Sequence, residues 1–79
     1  MAAREVRVLE AVTAAEIESI LSVTDALGLH RESVVIPLPK RRPGGVRRRP
    51  DGKLEIVVDA ERPFEEWLSG LEQQLRALG

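Results

Sequence analysis

Seven basic residues fall between positions 40 and 53 of this chain: Lys40, Arg41, Arg42, Arg47, Arg48, Arg49 and Lys53. Arginine offers a planar fork of donors that grips phosphate or carboxylate in bidentate fashion, and lysine adds a compact point charge. The chemistry open to such a cluster is therefore anion binding. Against these seven stands one acid in the same segment, Asp51, a net of +6; the rest of the chain holds five basic and twelve acidic residues, a net of −7. The overall charge of −1 hides a strongly dipolar molecule.

Three readings of the cluster follow. The arginines and lysines contact nucleic-acid backbone; with about five phosphates engaged, log affinity falls with log salt at a slope near −4 to −5. No aromatic lies in the segment, so base stacking could come only from arginine planes, and backbone or shape recognition is expected rather than sequence readout. Alternatively, the cluster meets the carboxylates of an acidic protein partner, or the acidic remainder of a second copy in a homodimer. The third reading is a solvated loop whose charges and prolines keep an edge strand from pairing. The favoured expectation is the first, with Lys40, Arg41, Arg42, Arg47, Arg48, Arg49 and Lys53 as the contact residues.

Catalytic constellations are missing. His30 is the only histidine and there is no cysteine, so thiolate sites and disulfides are excluded and a zinc site lacks its usual ligands. Ser19, Ser22, Ser33 and Ser69 include none in a G-x-S-x-G elbow. Neither glycine-rich nucleotide fingerprint is present. Carboxylates pair only as near neighbours, Glu16 with Glu18, Asp59 with Glu61 and Glu65 with Glu66, which suits a solvated face better than two acids facing across a cleft. The expectation is a non-enzyme without cofactor or metal.

Seventy-nine residues, 43% of them apolar, make one small domain spanning 1–79. Aromatics are limited to Phe64 and Trp67, so the core rests on aliphatic side chains. No apolar run reaches the roughly 18–20 residues of a membrane span, and the N-terminus lacks a signal-peptide apolar region; a cytoplasmic location is expected. Ten arginines to two lysines, with no asparagine, fits a GC-rich genome or a thermophile.

The elements that position the cluster can be read from local signals. Glu5–Ala11 alternates and predicts a strand, although Val6, Leu9 and Val12 also continue a helical stripe. Thr13 and Glu16 form a capping box, and Ile17, Ile20, Leu21, Thr24 and Leu27 share one face of a helix over Ala14–Leu27 that Gly28 ends. SVVIPLP, Ser33–Pro39, predicts an edge strand, since Pro37 cannot donate to a ladder. Pro43–Gly45 is turn chemistry, Val46–Arg49 a short strand, and RPDGK a hairpin turn. Lys53–Asp59 alternates cleanly. Arg62–Leu78 predicts one closing helix with Pro63 at its start and Gly70 inside it at a cost of ~1 kcal/mol. The expected fold class is α+β: a three- or four-stranded, mostly antiparallel sheet with two helices on one face, in the order β-α-β-β-β-α.

Over Ala26–Leu75 the segments Gly28, Pro37–Pro39, Gly44 or Gly45, and Ile56–Asp59 follow an order that resembles the front part of zinc-dependent anti-repressor peptidases, the ImmA/IrrE family. That resemblance implies a helix, an edge strand ending near P-L-P, a hairpin, an I-V-V-[ND] strand and then a helix carrying His-Glu-x-x-His. Here the corresponding stretch reads LEQQLRALG, Leu71–Gly79, with Gln73 and Gln74 and no histidine. The resemblance therefore implies a non-catalytic relative or a truncated scaffold, a degenerate peptidase-like regulator. The closing helix is also similar in style to that of ribosome hibernation-promoting factors, which share the β-α-β-β-β-α order.

Overall fold

The computed structural model describes residues 11–78. Helix formation begins where the sequence places its cap. Thr13 is extended, its hydroxyl accepts from the Glu16 N–H at 3.1 Å, and the Glu16 carboxylate accepts from the Thr13 N–H at 3.0 Å. Helix α1 then runs Ala14–Ala26. Its end is a Schellman motif: Gly28, at φ 79°, donates to the Asp25 carbonyl and Leu29 to that of Thr24.

A single 3-10 turn, Arg31–Ser33, leads into β1, Val34–Val35. β2 is Gly45–Arg48 and β3 is Leu54–Val57. The strands lie in the order β1-β3-β2, with β1 parallel and β2 antiparallel to β3. The class is α+β as expected, but the sheet is mixed rather than mostly antiparallel, and the described order is α-β-β-β-α-α. The expected strand Glu5–Ala11 lies outside the described residues except for Ala11, which forms an antiparallel bridge with Pro39.

The parallel pairing arises from a crossing. Val34 pairs with Leu54, and the chain returns to the same side of β3 at Arg41, opposite Asp59. Between these points the outer chain uses two more residues than β3. Pro37 and Pro39, lacking N–H groups, sit in the stretch that leaves the ladder, and the Leu38 carbonyl turns outward to accept from Val12 at 2.7 Å. The expected strand over Ser33–Pro39 is thereby cut to Val34–Val35. Arg42–Gly44 then passes over the end of β3 so that β2 can join the opposite edge. At Gly44 the crossing is so tight that a Cβ would fall 2.5 Å from the Asp59 nitrogen and 2.6 Å from the Val57 oxygen.

The single closing helix is interrupted at Gly70, giving α2, Phe64–Ser69, and α3, Leu71–Ala77. The Gly70 N–H donates to Trp67, three residues back, at 3.2 Å, a local tightening of the kind that marks a helix end. The alternation of β3 buries Leu54, Ile56 and Val58 in one cluster with Val12, Ile20, Trp67, Leu71 and Leu75. Thr24 is buried among them and satisfies its hydroxyl on the Leu21 carbonyl at 3.0 Å. The indole N–H of Trp67 is buried without a hydrogen-bond partner among the described residues. No helix among the described residues is long and apolar enough to cross a membrane.

Candidate anion-binding hairpin

The turn that carries the basic segment closes as its residues dictate. Arg49 donates to the Lys53 carbonyl at 2.8 Å, Gly52 donates to the Arg49 carbonyl at 2.9 Å, and Gly52 sits at φ 89°. The Asp51 carboxylate accepts from the Lys53 N–H at 3.0 Å. This is a three-residue hairpin loop whose last position needs glycine. It fixes the register Arg47↔Glu55 and Arg48↔Leu54. Residues paired across strands share a face, so Arg48 lies on the core side with Leu54, while Arg47 lies on the other side with Glu55.

The seven basic side chains do not form one continuous patch. Lys40 turns back to helix α1, where its ammonium is 3.3 Å from Glu16 Oε2 and only 14% of its side chain is exposed. The same carboxylate closes the capping box through its other oxygen. Arg47 pairs across the strands with Glu55 through its Nε alone and remains 68% exposed. Arg49 lies 3.5 Å from Asp51 at the tip. Arg48 reaches the Gly52 carbonyl at 3.4 Å, and Arg42, which precedes β2 in the chain, also has an interaction partner. Arg41 and Lys53 make no side-chain hydrogen bond or ion pair among the described residues, and Arg48 has no acidic partner among them.

Two cavities flank β2. One, of about 380 Å³, is lined by Arg41, Pro43, Gly44, Arg47, Glu55 and Val57 among others. It brings Arg41 and Arg47 together on the face away from the core. The other, of about 260 Å³, is lined by Leu27, Leu29, Leu54, Leu75, Arg48 and Arg76. It joins the hairpin to the end of α1 and to α3. Sequence reasoning missed Glu55 and Arg76 as neighbours of the cluster. Glu55 was within reach of it, because a turn closed at Arg49 and Lys53 puts position 47 opposite position 55; Arg76 was not, because it comes from a distant helix.

Three of the four serines bond to their own helices. The hydroxyls of Ser19, Ser22 and Ser69 donate to the Ala15, Glu18 and Glu66 carbonyls of their own helices. His30 is exposed at the start of the 3-10 turn. Among the described residues no group of three His, Cys, Asp or Glu side chains could hold a metal. A clear perturbation of acidity lies elsewhere: the Arg31 guanidinium, hydrogen-bonded at 2.9 Å, holds the Asp25 carboxyl below its ordinary range.

The chain matches no protein-family model, no curated protein and no solved structure.

Proposed function

We propose that this chain is a non-catalytic binding module whose β2–β3 hairpin and adjoining crossing hold the backbone of a nucleic acid. The observation that carries the reading is the state of the cations after the molecule's own acids have taken what they can. Arg41, Arg48 and Lys53 are left without an acidic partner among the described residues, and Arg47 is paired but mostly exposed. Glu55 is itself mostly buried, but it engages Arg47 through Nε and leaves the outer end of the guanidinium in solvent, where a phosphate can reach it. Lys40 drops out of the contact set, because its ammonium is committed to Glu16 away from the hairpin.

Four phosphate contacts imply a slope of log affinity against log salt of about −3.6 on duplex DNA. From 50 to 200 mM salt, binding should weaken by roughly 100-fold. The test is a titration of fluorescent DNA and RNA at those two salt concentrations with the parent chain, with the combined Arg41→Ala, Arg48→Ala and Lys53→Ala variant, and with Lys40→Ala. The triple variant should lose most of the salt dependence, with a remaining slope near −1, while Lys40→Ala binds as the parent does. No binding at 50 mM salt, or equal binding by the triple variant, overturns the proposal.

A further inference from the structure

The outer edge of β2 offers what an extended chain needs. The Arg49↔Lys53 pair is hydrogen-bonded at the turn, and hydrogen-bonded pairs alternate along an antiparallel ladder. Gly45 and Arg47 therefore direct their backbone groups at β3, whereas Val46 and Arg48 direct theirs away from it. β2 is the last strand on its side of the sheet, so the outward N–H and C=O groups of Val46 and Arg48 have no strand partner among the described residues. An edge of this kind is a template for strand addition.

We infer that this edge takes an extended peptide in which acidic and apolar residues alternate. Side chains of an added strand point alternately to the two faces of the sheet, and the two faces beside β2 differ. On one, Arg47 uses only its Nε on Glu55, so its terminal nitrogens have no partner among the described residues; Arg41 borders the same cavity. That face takes a carboxylate. On the other face the cavity beside Arg48 is floored by Leu27, Leu29, Leu54 and Leu75, and takes an aliphatic side chain. A second copy of β2 is a poor occupant, since it would set arginine against arginine across the new ladder, and like charges in that position are destabilising. Arg41 and Arg47 serve both this inference and the nucleic-acid reading, so the two ligands compete for them; the backbone groups of Val46 and Arg48 are used by the peptide alone.

The probe is a fluorescein-labelled heptapeptide alternating glutamate and valine, with a block-ordered peptide of the same composition and two versions N-methylated at odd or at even positions. The alternating peptide should bind about tenfold tighter than the block-ordered one, and one of the N-methylated pair should weaken by about tenfold or more while the other holds. In the complex the amides of Val46 and Arg48 should exchange slowly, having exchanged fast in the free protein. Equal binding by the block-ordered peptide, or indifference to both N-methylations, reduces the contact to charge attraction and overturns the inference. A single-stranded DNA oligonucleotide is followed on the same two amides. Protection by DNA and not by peptide also overturns it; DNA binding that leaves those amides fast-exchanging upholds the assignment of those backbone groups to the peptide alone.

Discussion

Replacing Gly44 by alanine tests the crossing directly. The added Cβ would lie 2.5 Å from the Asp59 nitrogen, 2.6 Å from the Asp59 Cα and 2.6 Å from the Val57 oxygen. All three are backbone atoms of the segment that forms and extends β3, so no side-chain rotation can relieve the contact. Overpacking of a site that cannot yield costs about 1–3 kcal/mol or more, and the upper end applies here. A domain of this size has roughly 5 kcal/mol in total, and each kcal/mol corresponds to about 4–8 °C in Tm. Gly44→Ala should therefore melt about 12–24 °C below the parent, followed by far-ultraviolet circular dichroism. Gly70→Ala is the internal comparison. Its φ is −96° and the nearest atom to an added Cβ is 3.8 Å away, so the same substitution should stabilise by about 0.4–1 kcal/mol. A Gly44→Ala variant melting within 3 °C of the parent would refute the close passage of the chain over β3.

Thr13→Ala removes one half of the capping box and should cost about 1 kcal/mol, read as a fall of about 4–8 °C in Tm. Leu71→Ala empties a fully buried core position and should cost about 2–5 kcal/mol, enough to bring urea unfolding close to zero denaturant. For Asp25 the folded value is depressed by Arg31, so the pair stabilises above the ordinary carboxylate range, and that contribution disappears as pH falls through the folded value. Arg31→Ala should raise the Asp25 titration seen by NMR toward 3.8; an unchanged titration would show that the pair does not persist in solution.

What could be read from the sequence was local chemistry. Thr13 and Glu16 cap the helix as their spacing requires, Gly28 ends it, RPDGK closes a hairpin, and the alternation of Leu54, Ile56 and Val58 picks out the core face. These signals act over at most five residues, and no distant partner overrides them. Strand direction is different, because alternation is identical for a strand run either way. Val34–Val35 gave no sign that it lies parallel to β3, and only the passage of Gly44 over Asp59 decides it. Gly70 was visible as a weak point in the closing helix, but its consequence, two short helices, depends on how Trp67 and Leu71 are both drawn into the core. Lys40 was read with its basic neighbours, and its ion pair with Glu16, 24 residues away, belongs to tertiary structure. Arg41, Arg48 and Lys53 were not separable from the rest by residue type.

The central position of β3 sets a timetable for synthesis. Both β1 and β2 find their ladder partner only in β3, which is the last of the three to be made. A ribosome adding about 5–20 residues per second leaves Val34 waiting roughly one to four seconds for Leu54. β1 waits through the whole of that interval and β2 through its last third, and the arginines in and beside β2 repel neighbouring nascent copies. Like charges on an unpaired strand are a general guard against pairing between copies, and here they are in place before the strand's own partner is made.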